Sequence, residues 1–244
     1  MLGPYISYGV VSPHLERSAR IVDVGGGTGK YAEWLSNKGH TVFLVDPVPK
    51  HIERAKRRAN TLKNKFHVRL GEAGDLNFPD NSADLVILHG PLYHLQKKSD
   101  REKAIKEAKR VAKSGGIVLG FSINYTASTL AGLMQGLIHR KKYFEMCVEE
   151  LTTGIHNPPD EFPWLLAEAY YHRPEELKEE FEGQDLVFLN IHAIEGMAWL
   201  DKDYFSSMSN ATSKKTLMDL IEITENDVNL LFFSPHMMIA TKKQ

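Results

Sequence analysis

The chain has 244 residues, 42% of them apolar and 25% charged, which suits a globular protein with a sizeable buried core. Its 30 Lys and Arg against 31 Asp and Glu leave a formal net charge of −1, which argues against a protein that coats nucleic acid. Cys147 is the sole cysteine, so an intramolecular disulfide and a cysteine-rich zinc site are excluded. The opening MLGPYISYGV lacks the basic-then-apolar pattern of a secretory leader, and no apolar run approaches the roughly 18 residues of a membrane span. These features lead us to expect a soluble cytoplasmic protein.

Apolar runs alternate with helical periods through the first half. Ile21 to Val24 reads as a short buried strand that ends in a glycine cluster. The Tyr31, Trp34, Leu35 spacing predicts a helix, with Gly39 as its stop. Thr41 to Val45 is the second strand, followed by a helix with Ile52, Ala55 and Ala59 on one face. Phe66 to Leu70 is a weaker third strand, and Leu85 to Leu88 a strong fourth. Ser99 with Glu102 forms a capping box that would open a helix reaching about Lys113, ended by Gly115-Gly116, before a fifth strand over Ile117 to Phe121. Strands separated by helices of about 10–15 residues imply βαβ units around a parallel sheet covered on both faces.

That rhythm breaks after Asn124. Residues 126–150 read as helical and 152–163 as a loop with Pro158, Pro159 and Pro163; Pro174 is placed to start an acidic helix at its first position. Asp185 to His192 and His236 to Thr241 read as two last strands, with helices between them around 200–224. The expectation is one domain over 1–244. Its core spans 17–122, and helical insertions over 125–170 and 197–234 carry substrate choice, since loops on a rigid scaffold set specificity. Met134, Phe144, Met146 and Trp164 make the first insertion a candidate lid. The eight basic residues between Lys50 and Arg69, and the acidic 149–185 stretch, read as solvated faces.

VDVGGGTGKY at 22–31 carries most of the functional information. A strand runs into Gly25, Gly26, Gly27 and Gly29 and a helix follows, so bare backbone meets a ligand at a helix N-terminus. Gly27, Gly29 and Ala32 also satisfy the dinucleotide fingerprint G-x-G-x-x-A, with Asp46 roughly 20 residues on where a carboxylate would meet ribose hydroxyls. A nicotinamide-dependent oxidoreductase is thus an open alternative. Asp23 weighs against it, because an anion at the strand's end opposes a pyrophosphate and suits an amino group. So does the turn at Glu72-Ala73, where a carboxylate and a backbone N–H could bracket an adenine edge.

Together the D-x-G-x-G-x-G run at Asp23 to Gly29, the acid ending strand two and the G-E-A turn at 71–73 resemble class I S-adenosylmethionine-dependent methyltransferases over residues 21–122. LHGPLYHL at 88–95 and YYHRPEEL at 170–177 look like a subgroup of small members. The resemblance implies an α/β fold: a Rossmann-like, doubly wound, seven-stranded sheet of order 3-2-1-4-5-7-6 with strand 7 antiparallel. It implies S-adenosylmethionine as the cofactor and S-adenosylhomocysteine as its product. It places the methionine part on the loop of Gly25, Gly27 and Gly29, the ribose on Asp46, the adenine on Glu72 and Ala73, and His89 beside the sulfonium; Asp23, Gly26 and Pro47 complete the expected cofactor-binding set. Strands six and seven are usually joined by a hairpin in that family, whereas here some 40 residues intervene. A lid helix often precedes strand one, leaving residues 5–16 for that part and Tyr5 or Tyr8 to line the site.

Methyl transfer mainly asks the protein to align the acceptor, with a base needed for oxygen acceptors. Tyr93, His94 and His172 are the candidate catalytic groups; Tyr93, His94, Tyr171 and His172 are the candidate acceptor contacts. Histidine and acid spacings give no metal-binding motif, and no G-x-S-x-G elbow offers a nucleophilic serine. The reading is methyl transfer to a small-molecule acceptor. The alternatives are an RNA-modifying methyltransferase that uses the basic 50–69 stretch, and a cofactor-binding protein without catalysis.

Overall fold

The computed structural model describes residues 18–244, so Tyr5, Tyr8 and the expected lid over 5–16 lie outside the described residues. Strand β1 (Arg20–Val24) is buried on both faces and pairs in parallel with β2 (Thr41–Asp46) and β4 (Ala83–Leu88). Strand β3 (His67–Leu70) pairs only with β2 and is largely exposed, which explains its weak apolar signal. Between them run α1 (Lys30–Asn37) and α2 (Pro49–Asn60), which bury Tyr31, Ala32, Leu35, Ile52, Ala55 and Ala59. Each apolar side chain of Val, Leu or Ile size buried here contributes about 1.5–3 kcal/mol.

After the short α3 (Pro91–His94) comes α4 (Lys98–Val111), and β5 (Ala112–Asn124) follows without a break. Two expectations are corrected here. Ser99 lies inside α4 rather than capping it; Lys97 is the cap residue, and its side chain makes no capping hydrogen bond. The helix also stops at Val111, because Ala112 already has extended angles (φ −62°, ψ 140°), so Gly115 and Gly116 belong to β5. The pairing register between β4 and β5 slips between Ala83 and Leu85, and this irregularity absorbs the glycines.

The remaining elements are α5 (Ala127–Gln135), α6 (Lys141–Thr153), β6 (Ile155–His156), β7 (Ala169–His172), α7 (Pro174–Glu182), β8 (Leu186–Ala193), α8 (Tyr204–Ser207), α9 (Ala211–Thr224) and β9 (His236–Lys243). Strand β9 pairs with β5 and β8, so, leaving β6 and β7 aside, the sheet runs β3-β2-β1-β4-β5-β9-β8, the expected order. β9 is antiparallel to β5: Thr241 donates to Val118 O near one end, and Asn124 N–H donates to Pro235 O near the other. Two short strands were not foreseen. β7 pairs in parallel with the last residues of β5 through Ile123 and Asn124, and β6 pairs antiparallel with β7. Tyr170 to His172, just before α7, therefore belong to a strand.

Packing divides the chain into two compact units. The first holds the described residues through Phe121, with Lys178–Leu189 and Ile239–Gln244. The second holds Ser122–Leu177 and Asn190–Met238, and so contains both segments expected as insertions. Within it Asn124 Nδ2 donates to Leu231 O, Thr126 Oγ1 donates to Phe232 O, and Tyr125 packs edge-on against Phe232. Tyr143, Met146, Cys147 and Phe162 form an apolar cluster there. Of the four candidate lid side chains only Met146 is core; Met134, Phe144 and Trp164 are exposed.

Candidate active site

The glycine loop takes its shape from backbone bonds within the first unit. Gly25 N–H donates to Val45 O (2.7 Å), tying the end of β1 to β2, and Arg58 Nε of α2 holds the loop from outside at Thr28 O (3.0 Å). Gly27 has φ +58°, a left-handed angle that glycine adopts without strain, and no atom lies within 4 Å of where its Cβ would be. Its bare backbone therefore faces open space. Gly26 is glycine for the opposite reason, since a Cβ there would sit 2.5 Å from Asp23 Oδ2.

Asp46, at the end of β2, is nearly buried. Its Oδ2 accepts the Gly27 N–H (2.9 Å), while Oδ1 accepts the Val48 N–H (2.9 Å) and lies 3.0 Å from His51 Nδ1. Pro49 opens α2 immediately afterwards, presetting the first helical turn that carries His51. Behind the loop Asp23 is fully buried: Oδ1 lies 3.2 Å from His89 Nδ1, and Oδ2 has no hydrogen-bond partner among the described residues. The His89 ring stacks on Phe121 (4.4 Å between centroids) and meets Tyr31 edge-on (4.5 Å).

One cavity of about 750 Å³ collects these parts. Gly25, Gly27, Asp46, Pro47, Glu72, Ala73, Tyr93 and His94 all line it, eight of the residues singled out in the sequence. Asp23, Gly26, Gly29 and His89 are not among its lining residues. Gly29 caps the N-terminus of α1, and the other three stand as described above. Tyr171 and His172 belong to the second unit and are buried, Tyr171 stacked on His156 and His172 Nδ1 lying 2.5 Å from Ser122 Oγ. Val48, His51, Asp100 and Lys103 line the cavity but were missed. Val48 and His51 could have been found from their places two and five residues after Asp46. Asp100 and Lys103 reach the cavity only because α4 packs where it does.

Tyr93 and His94 have opposite acid–base tendencies. Burial pushes the Tyr93 phenol up, and the Asp46 charge adds to that, so Tyr93 keeps its proton and can donate. Burial lowers His94 below the ordinary value of 6.5; Asp46 opposes this and His51 reinforces it. A neutral imidazole at physiological pH can accept a proton.

Chemically the cavity suits a cation that carries hydroxyl groups. Asp46, Glu72, Asp75 and Asp100 face it against Lys103, a balance unfavourable to a pyrophosphate. The bare Gly27 backbone beside the Asp46 carboxylate fits a ligand with an amino acid moiety and a nucleoside. Residues 22–120 match the family described as methyltransferase domain. Over 110 residues the chain is 33% identical to the ubiquinone/menaquinone biosynthesis C-methyltransferase UbiE of Vibrio parahaemolyticus, a match that covers 42% of this chain and 41% of that one. A 2-methyl-6-phytyl-1,4-hydroquinone methyltransferase of Oryza sativa subsp. japonica is 34% identical over 103 residues, covering 41% and 28% of the two chains. The chain thus spans less than half the length of these curated relatives. A solved S-adenosylmethionine-dependent methyltransferase from Methanosarcina mazei shares the fold over 97% of both chains, with a TM-score of 0.68 and 18% identity. The match to a methyltransferase domain implies S-adenosylmethionine as the cofactor of this site. No helix among the described residues is long and apolar enough to cross a membrane.

Proposed function

We propose that the protein transfers a methyl group from S-adenosylmethionine to a small-molecule acceptor that sheds a proton on methylation, a ring hydroxyl or an activated ring carbon. The observation that carries this reading is the convergence of Gly25, Gly27, Asp46 and the Glu72-Ala73 turn on one cavity that also holds Tyr93 and His94. When bound, the cofactor supplies an electrophilic methyl on a sulfonium that leaves as a neutral thioether. The glycine loop would hold its amino acid part, Asp46 its ribose, and Val48, Glu72 and Ala73 its adenine. Tyr93 donates a hydrogen bond to the acceptor, and His94 takes the proton the acceptor loses. The curated relatives named above are C-methyltransferases of quinone biosynthesis or act on a hydroquinone, and both names agree with an acceptor of that kind.

The test is calorimetry of the wild type and Asp46→Asn with S-adenosylhomocysteine, S-adenosylmethionine and NADH. The wild type should bind the first two and ignore NADH. Asp46→Asn should bind both about 2 kcal/mol more weakly, roughly thirtyfold in Kd, through loss of a charge-assisted hydrogen bond. Binding of NADH alone would overturn the reading in favour of an oxidoreductase. On the acceptor side, activity should fall as pH drops below 6.5 and His94 gains a proton, and His94→Gln should remove that acid limb.

A further inference from the structure

A carboxylate offers about four acceptor positions, two on each oxygen. Three of those on Asp46 are engaged by the chain itself, one on Oδ2 by Gly27 and both on Oδ1 by Val48 and His51. One position is left, on Oδ2, whereas a ribose presents two vicinal hydroxyls. An ionised carboxylate only accepts, so the proton in the 3.0 Å contact sits on His51 Nδ1. In the neutral imidazole Nε2 is then an acceptor. His51 lies in the first turn of α2, its side chain 41% exposed, and lines the same cavity as Asp46.

We infer that His51 is a ribose-binding residue: one hydroxyl donates to Asp46 Oδ2 and the other to His51 Nε2. The inference rests on the cofactor reading above. It makes recognition of the diol a shared task, with Asp46 holding the imidazole in the tautomer that the task requires. His51 thus contributes to specificity for a ribonucleoside over its deoxy forms, and the Asp46 carboxylate alone accounts for only half of it.

The experiment is calorimetry of S-adenosylhomocysteine and its 2′-deoxy and 3′-deoxy analogues with wild type, His51→Ala and His51→Gln. Wild type should bind both deoxy analogues about tenfold more weakly than the parent. His51→Ala should bind the parent about tenfold more weakly and become indifferent to the loss of one hydroxyl while still responding to loss of the other. His51→Gln, which restores an acceptor, should recover part of that discrimination. Because the side chain is a surface residue of α2, the thermal midpoint of each variant should match wild type. The inference fails if His51→Ala binds all three ligands as wild type does, or weakens all three by one common factor, the mark of an effect relayed through Asp46. If wild type binds no S-adenosylhomocysteine, the cofactor reading falls and this inference with it.

Discussion

The two units bury polar groups in different ways. In the first, Arg101 and Glu180 are almost wholly buried, yet the guanidinium reaches both carboxylate oxygens and spends its other N–H groups on the carbonyls of Leu95 and Gln96. In the second, Glu150 accepts from Ser128 Oγ and lies 2.6 Å from His156 Nδ1, but its Oε2 has no partner among the described residues. His192 is buried with neither ring nitrogen partnered among those residues, as are Trp199 Nε1 and Tyr204 Oη. Burial pushes the Glu150 carboxyl and the Tyr204 phenol up, and His192 down to about 4. The Arg101–Glu180 pair keeps two buried charges in the first unit and joins α4 to α7. It also holds the carbonyl of Leu95, a residue of the cavity wall. Beside its Glu195–His236 pair, the second unit buries three groups that favour their neutral forms, and through them its stability responds to pH.

The sharpest way to break this contrast is Arg101→Met, which leaves Glu180 buried without its cation. Unfolding in urea should show a loss of about 3–5 kcal/mol, and adding Glu180→Leu should return most of it. A single-variant cost below about 1 kcal/mol would mean that the pair does not carry the first unit as described.

His192 tests the other side. Its folded pKa lies below the unfolded value, so protonation favours the unfolded chain. The stability its neutral form supports is complete above pH 6.5 and is lost as pH falls to about 4. Roughly 3 kcal/mol should disappear across that window in wild type. His192→Leu should flatten the pH dependence there, and a curve parallel to wild type would remove His192 from the account. The smallest effect is expected at Gly27→Ala. The new methyl meets no neighbour, so only the left-handed backbone resists it, at a cost of about 1 kcal/mol of stability that a small drop in the thermal midpoint would show. Affinity for S-adenosylhomocysteine should fall by more than that loss of stability, because the methyl projects where bare backbone faces the cavity.

Much of the first unit was legible in the sequence. Strands buried on both faces read as continuous apolar runs, and α1 and α2 showed one apolar face each. Where competing local signals met, reading failed. Ser99 and Glu102 have the spacing of a capping box, but the chain enters α4 two residues earlier at Lys97, and Lys98 pairs weakly with Glu102 instead. Gly115-Gly116 looked like a helix stop because glycine marks both helix ends and strand irregularities, and only the register against β4 tells them apart. β6 is a two-residue strand, too short to leave a periodic signal.

What the sequence determined by itself is local. The glycine turn, the acid that closes β2, the proline starts of α2 and α7 and the alternation of strand and helix each follow from a few neighbouring residues, whose backbone preferences act over one turn. Only tertiary structure decided which groups meet across distance. It set Arg101 against Glu180, brought Asp100 and Lys103 of α4 to the cavity, and gave Asp46 its three partners in the chain. It also packed Tyr171 and His172 inside the second unit, away from water. Those outcomes depend on side-chain packing and on which buried charges find partners, and no spacing along the chain encodes either.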